Sequence, residues 1–473
     1  MNGLEEFAEK AILYANDEGC QYCDVRAEVI SERGVMIENG EIEYPISKED
    51  QGLGIRILKS GAWGFYSISN PTSLEQVRNG VNNAAKVAQY CSNNKKSKVK
   101  ISNVPVNNEK IDFPVKDEPN IDELVKIGFD CNKIIQKKSR IIRAVTALGY
   151  ITVSKYFVNT EGSKINQNKT DVIANLSATA HESGLTQSVN ITEGGRGGLE
   201  KITKECDITE TSRLIAEKAS ELIDAKPVKT SKAPLVMNPD FVALLTHEIL
   251  GHPSEADRVL GKEMAWAGGA WWAGKIGEKI ASENLNVFDD PTIEGNLGWY
   301  HYDDEGVKSS RTNLIENGTL VNHLQNRETA EIYGVKPSAN MRATSYKFMP
   351  LIRMACTCID GGDWDPQEMI SEVKEGYFIS NMKVPSIDMK RYNWSISCQY
   401  AHKIENGEIT DLLRDVIVMG TAPDFFKSID ACGNDFTVRP ITNCGKGDPM
   451  QSMFMGNGGP SLRAIATVKS VEA

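Results

Sequence analysis

Six histidines occur in the 473 residues, and two of them sit close together in the segment Ala233–Arg258. There His247, Glu248 and His252 read H-E-x-x-x-H. Neutral imidazole is a common ligand for a divalent metal. A carboxylate beside the first imidazole can take a proton from a water activated by that metal. The chemistry these residue types point to is metal-assisted hydrolysis. In the more familiar H-E-x-x-H spacing both imidazoles share one helix face. Here one more residue intervenes. At ~100° per residue, five steps turn the second imidazole about 140° from the first, against about 40° for four steps. A straight helix would aim the rings apart. A π-bulge absorbs one residue and recurs at functional sites. Alternatively, Gly251 and Pro253 could end or bend the helix beside His252. A shared ion therefore predicts a backbone distortion between His247 and His252.

A catalytic zinc usually takes three protein ligands and leaves a position for water. Glu255 is the nearest oxygen donor after His252, and Asp257, His301, His323 and several of the ten cysteines compete with it. Spacing does not choose among them. His181-Glu182 repeats the dipeptide, but no histidine follows within a turn or two. Cys20-Gln21-Tyr22-Cys23 follows a helix and opens a strand, the reverse of a redox motif, and Cys356 and Cys358 lack the spacing of a zinc pair. These read as structural thiols. The Trp- and Gly-rich stretch 265–274 reads equally as a flap over the site or as a packed loop at a subunit interface. Arg353 could bind a substrate carboxylate or a developing oxyanion, although an ordinary ion pair is the commoner role. Met450, Met453 and Met455 read as adaptable core.

The elements that must position these residues are legible from pattern. Ala233–Met237 reads as a strand. Asn238 caps the following helix, Pro239 suits its first position and Asp240 its first turn, with Phe241, Leu244, Leu245 and Ile249 apolar. Helical periodicity also covers 4–17, 73–90, 121–137 and about 208–225. Strand patterns cover 22–30, 35–37, 54–68 and much of 141–192, with a turn at 159–162. The polar, lysine-rich segment 93–116 reads as a long surface connection. Ile-Glu-Asn-Gly recurs at 37–40, 315–318 and 404–407. Asn-Gly between apolar stretches predicts a hairpin turn at each, because both central residues of a type I′ turn need positive φ. Lys226–Lys232 reads as a linker, after which glycine and tryptophan rise. The expected architecture is α+β: an N-terminal domain over 1–225 mixing helices and strands, and a β-rich domain over 226–473 carrying the H-E-x-x-x-H helix.

Composition narrows the function classes. Charged residues are 25% and hydrophobic ones 40%, which is ordinary globular usage. The net charge of −11 offers no basic footprint for nucleic acid or an anionic membrane. The N-terminus has neither the basic nor the apolar region of a secretory signal, so the expected compartment is the cytosol, where thiols stay reduced.

Beyond the first motif, the chain resembles the TldD/PmbA proteins, a family that includes metallopeptidases. HEILGHPSEAD, His247 to Asp257, is similar to the family's H-E-x-x-G-H-x-x-E segment. Arg342-Ala343-Thr344-Ser345-Tyr346, then Pro350 and Arg353-Met354, resembles its R-x-x-S-Y…P-x-x-R-M block, and Asn443-Cys444-Gly445-Lys446-Gly447 resembles its C-G-K segment. Where the family commonly has R-M-x-N-T, this chain has Arg353-Met354-Ala355-Cys356-Thr357. The resemblance implies His247, His252 and Cys444 as ligands of one zinc ion per active subunit, with Glu248 as the catalytic carboxylate. It also implies the active branch of the family, a peptide substrate, and a homodimer or a heterodimer with a paralogue. Such a donor set suits zinc over magnesium or calcium. Two other readings stand beside this one: a partner-binding regulator with a structural metal, and a metal-dependent amidohydrolase acting on a small non-peptide substrate.

Overall fold

The computed structural model describes residues 1–94, 97–263 and 269–470. The N-terminal half is built on one sheet of seven strands: Tyr22–Glu38 (β1), Glu41–Lys59 (β2), Ala62–Ser69 (β3), Asn108–Asp112 (β4), Ile141–Asn159 (β5), Lys164–Glu182 (β6) and Leu185–Arg196 (β7). Their order is β3-β2-β1-β5-β6, with β4 and β7 sharing the outer edge of β6. Helices Asn2–Asp17 and Leu74–Asn94 cover one end, where Ala8, Ala11, Val77 and Val81 meet Val25, Ile55 and Ile57. Helices Ile121–Gln136 and Ile208–Glu221 cover the other, where Leu124, Cys131, Ile215 and Ala219 meet Ala174, Leu176 and Ala178. All four helices lie where the apolar periodicity predicts them.

The strands depart from the pattern in three places. Segments 22–30 and 35–37 are one strand, β1, because the polar run Ser31–Gly34 stays paired on both sides, to β2 and to β5. The expected strand 54–68 is instead the end of β2 plus β3, broken at Ser60 and Gly61, both at positive φ (55° and 78°). The segment read as a surface connection contains β4, whose mostly exposed residues pair parallel with Lys164–Asn168. Edge pairing uses backbone groups alone and leaves little trace in side-chain pattern.

In the C-terminal half, strands Glu375–Ile387, Ser231–Met237, Leu462–Ser470, Val416–Thr421 and Asn393–Glu405 pair in that order, and the last also pairs with the first, closing a ring. A second sheet runs through Thr312–Glu316, Val287–Asp289, Cys356–Ile359, Gln451–Gly459 and Thr437–Lys446. The helix Pro239–Thr246 packs between strands of the two sheets, and its Phe241, Val242 and Leu245 are fully buried in the largest core. The stretch read as a linker is woven into this half: Lys226-Pro227 pairs with Leu413-Arg414, and Ser231 opens a strand. Its lysines reflect solvent-facing side chains, not an unpaired backbone. All three Ile-Glu-Asn-Gly repeats are two-residue hairpins, with Asn39, Asn317 and Asn406 at φ 47–52° and the glycines at φ 74–85°. Among the described residues no helix is long and apolar enough to cross a membrane.

The halves are joined by buried polar contacts. Tyr346 lies against Gly52, where an added Cβ would come within 2.3 Å of its ring. Its backbone N–H donates to Glu28 at 2.7 Å, and its hydroxyl donates to Asp50 at 2.6 Å. Arg56 of β2 pairs with Asp24 of β1 and, at 2.9 Å, with the fully buried Glu305. Glu305 also accepts the N–H of Arg327 at 2.8 Å. Removing one partner of a buried pair strands the other, so Glu305→Ala is expected to cost about 3–5 kcal/mol. Glu305→Gln, which keeps the shape and one acceptor oxygen for one of the two donors, should cost less. Urea titration of both variants checks the order.

Candidate metal centre

Asn238 begins the site helix. Its side chain accepts from the N–H of Phe241 at 3.0 Å and from the N–H of Asn381 at 3.1 Å, so the cap also ties the helix to strand 375–387. The helix is α-helical over Pro239–Thr246, becomes π-helical over His247–Gly251 and ends in a single turn at His252–Ser254. The expected distortion is therefore present, as a π-turn. It brings the His247 and His252 ring centroids to 4.8 Å, with the rings at 77°. The widened turn lies directly on Met354: a Cβ at Gly251 would fall 1.9 Å from the Met354 sulfur.

Each imidazole is oriented from behind. His247 Nδ1 lies 2.9 Å from Asn457 Oδ1, and Asn457 Nδ2 donates to the Thr357 carbonyl at 3.0 Å. That second bond makes Oδ1 the acceptor, so His247 carries its proton on Nδ1 and presents Nε2. His252 Nδ1 lies 3.2 Å from Glu255 Oε2, and its Nε2 lies 3.5 Å from the Cys444 sulfur. Cys444 sits on strand 437–446, just past a register shift after Ile441. The ligand atoms of His247, His252 and Cys444 all lie within 4.8 Å of one another, and all three residues are buried. Among the described residues this is the one His/Cys/Asp/Glu group of that kind. Two imidazole nitrogens and a thiol suit a tetrahedral zinc with one position open.

The electrostatics favour an ionised thiol. Burial alone would push the Cys444 thiol up, but His247, His252 and Arg353 hold it well below the usual thiol range. Burial works against protonation of His247, yet Cys444 raises it to about 9. A bound cation would replace the imidazole proton as the partner of the thiolate. Burial would likewise push up the carboxyl of Glu255, but Lys446, His252 and Arg258 hold it well below the ordinary range. Its Oε2 is 2.7 Å from Arg258 Nε and 3.2 Å from Lys446 Nζ.

Glu248 is half-buried and lines a cleft of about 660 Å³ together with His247, His252 and Cys444. Both halves of the chain wall this cleft: Asn190 and Thr192 from β7, Lys383 from strand 375–387, and Arg391 just beyond it.

The other candidates are elsewhere. Asp257 pairs with Lys446 at 2.8 Å. His301 packs beside Phe113 and Trp299, and His323 beside Tyr333. His181 is on an exposed hairpin, bonded to Thr186. Among the described residues Arg353 has no carboxylate partner, and it does not line the cleft. It is fully buried and donates to the carbonyls of Cys444, at 2.6 Å, and Gln451, at 3.0 Å. Burial pushes the thiols of Cys20 and Cys23 up. Cys356 and Cys358 are buried with their sulfurs 3.7 Å apart. Met453 and Met455 are core, whereas Met450 is exposed. Of the Trp/Gly-rich stretch, residues 264–268 lie outside the described residues. Trp272 is fully buried and donates to the Pro253 carbonyl at 2.7 Å, which anchors that part as packed loop. Sequence reasoning missed Asn457. Its one signal is a lone amide in the glycine-rich end, residues 455–459, of strand Gln451–Gly459.

Comparison with known proteins follows the same lines. Three family models match: PmbA/TldA metallopeptidase domain 1 over residues 23–88, the central domain over 115–226 and the C-terminal domain over 230–468. A protein named metalloprotease from Methanothermobacter thermautotrophicus is 31% identical over 462 residues, covering 96% of each chain. A protein named zinc metalloprotease TldD homolog, from Saccharolobus solfataricus, is 25% identical over 462 residues, covering 96% of this chain and 97% of its own. The crystal structure of TldE from Thermococcus kodakarensis superposes with a TM-score of 0.75 at 19% identity, over 98% of this chain and all of the other, which is a likeness of fold.

Gly251→Ala is expected to destabilise the protein by about 1–3 kcal/mol through overpacking, with part recovered when Met354→Ala opens the space. Urea midpoints of the single and double variants check this. Glu255→Gln, by loosening the hold on His252, is expected to weaken divalent-metal affinity about 10–100-fold, measured by chelator competition.

Proposed function

Because the chain belongs to the PmbA/TldD metallopeptidase family, we propose that it hydrolyses peptide bonds with one zinc ion held by His247, His252 and Cys444. When bound, zinc supplies Lewis-acid activation of water and of the scissile carbonyl. Glu248, beside His247 and open to the cleft, removes the proton from the attacking water and delivers it to the leaving amine. Asn457 and Glu255 keep the imidazoles turned toward Cys444, and Arg353 and Lys446 hold the strand that carries the thiol. The observation that carries the reading is the convergence of two oriented imidazoles and one thiol within 4.8 Å, on the wall of a cleft that Glu248 also lines. A cleft of about 660 Å³ is in the range of sites for small ligands, which favours short or unfolded peptides over folded domains. A donor set of three favours catalysis over a structural zinc, which four protein ligands normally close.

The family also makes a dimer part of this proposal, with a second copy or a paralogous subunit. All ten cysteines are free thiols, which fits a reducing, cytoplasmic setting.

Metal analysis paired with a chelator-sensitive peptide-cleavage assay tests the division of roles. Glu248→Ala is expected to lower turnover about 10²–10⁴-fold while retaining zinc. His247→Ala should lose both zinc and turnover. Equal metal loss in the two variants overturns the assignment of Glu248, and cleavage of simple amides but not of peptides overturns the substrate class.

A further inference from the structure

A second cavity, of about 270 Å³, lies between the N-terminal sheet and the C-terminal half, and its described lining shares no residue with the metal cleft. Strand alternation builds its floor. Ile151 and Val153 of β5 face the same side as Lys169 and Asp171 of β6, with Val153 opposite Lys169 and Ile151 opposite Asp171. Phe113 and Tyr300 add aromatic surface.

The charge in this cavity does not balance. Four cations line it: Lys155, Lys169, Arg196 and Arg342. Lys155 is matched, 2.7 Å from Asp304 and 3.3 Å from Glu28. Arg196 makes a two-pronged pair with Asp171, at 2.7 and 3.0 Å. Lys169 leans on that same carboxylate at 3.2 Å, so Asp171 serves two cations. Arg342 donates to the carbonyls of Met354 and Phe454 and lies over the Tyr300 ring at 5.1 Å. Among the described residues no carboxylate forms an ion pair with it. Asp303 also faces the cavity, but its oxygens accept the N–H groups of Glu305, Val307 and Met341, and burial and Glu305 push its carboxyl well above the usual range. Burial and the Arg196 charge push the Lys169 ammonium down to about 8. A buried cation without a counter-ion, here Arg342, is costly. Lys169 shares its only carboxylate with Arg196, and an anion with an apolar body would match both the excess charge and the walls.

We propose that this cavity is a second ligand site, which takes a small monocarboxylate with an aromatic or aliphatic body. The carboxylate sits between Lys169 and Arg342, and the body rests on Ile151 and Val153.

Isothermal titration of the purified full-length protein with 4-phenylbutyrate tests it. The neutral 4-phenylbutanamide probes the charge, and inorganic phosphate probes the need for an apolar body. Saturable binding of the carboxylate is expected with a Kd below about 1 mM, weakened roughly tenfold or more for the amide, for phosphate and in Lys169→Met. Val153→Phe, which fills the cavity and leaves every charge in place, should keep the urea midpoint and lose binding. Affinity should be unchanged after chelation and dialysis, because a carboxylate held at the metal centre would depend on the ion. No saturable binding of 4-phenylbutyrate, equal binding of the amide, binding retained in both variants, or loss on metal removal would each overturn the proposal.

Discussion

One widened helical turn is the constraint on which the centre depends. With the two imidazoles five steps apart, an α-helix would splay them, and the π-turn at His247–Gly251 is the local solution. That turn has no side-chain cap of its own, and one residue beyond it, after His252, stands Pro253, which cannot donate a backbone hydrogen bond. It persists because its surroundings hold it. Asn238 fixes the helix start, Met354 fills the space under Gly251, and Asn457 and Glu255 take the outer nitrogens of the two rings. A conformation that is uncommon locally is over-determined by packing, as at functional sites generally.

The same turn sets the electrostatic problem. It buries two imidazoles beside a thiol, and the protein answers with a graded set of charges. Glu255 faces His252, and Lys446 and Arg258 face Glu255. Arg353 holds the backbone of Cys444 without presenting its charge to the cleft. Glu255, Arg258 and Lys446 thus complete one another, and the pair left to be completed is the thiolate with a cation. Burial without such pairing would be strongly unfavourable.

The two halves of the chain are also coupled through this region. β7 of the N-terminal sheet contributes to the cleft wall, and the Arg342–Met354 segment touches the N-terminal sheet through Tyr346 and the helical segment of His247 and His252 through Met354. A helix, a strand some 200 residues later and a sheet edge from the other half are held in one frame by buried polar contacts, which are directional and so fix relative orientation as well as proximity.

The sequence by itself determined what depends on neighbours along the chain. Four N-terminal helices, the three Asn-Gly hairpins, the cap at Asn238 and the need for a distortion between His247 and His252 all follow from periodicity, turn chemistry and spacing. The residues alone left the third donor open among Glu255, Asp257, His301, His323 and the cysteines, and only the resemblance pointed to Cys444. Tertiary structure decided which distortion occurs, brought the Cys444 sulfur to 3.5 Å from His252, and revealed Asn457, the backbone role of Arg353 and the pairing of β4. The reason is physical. Capping, turn and helix preferences are set within a few residues, whereas edge pairing, a strand's register and the partner of a buried charge are set by groups that become neighbours only when the chain has folded.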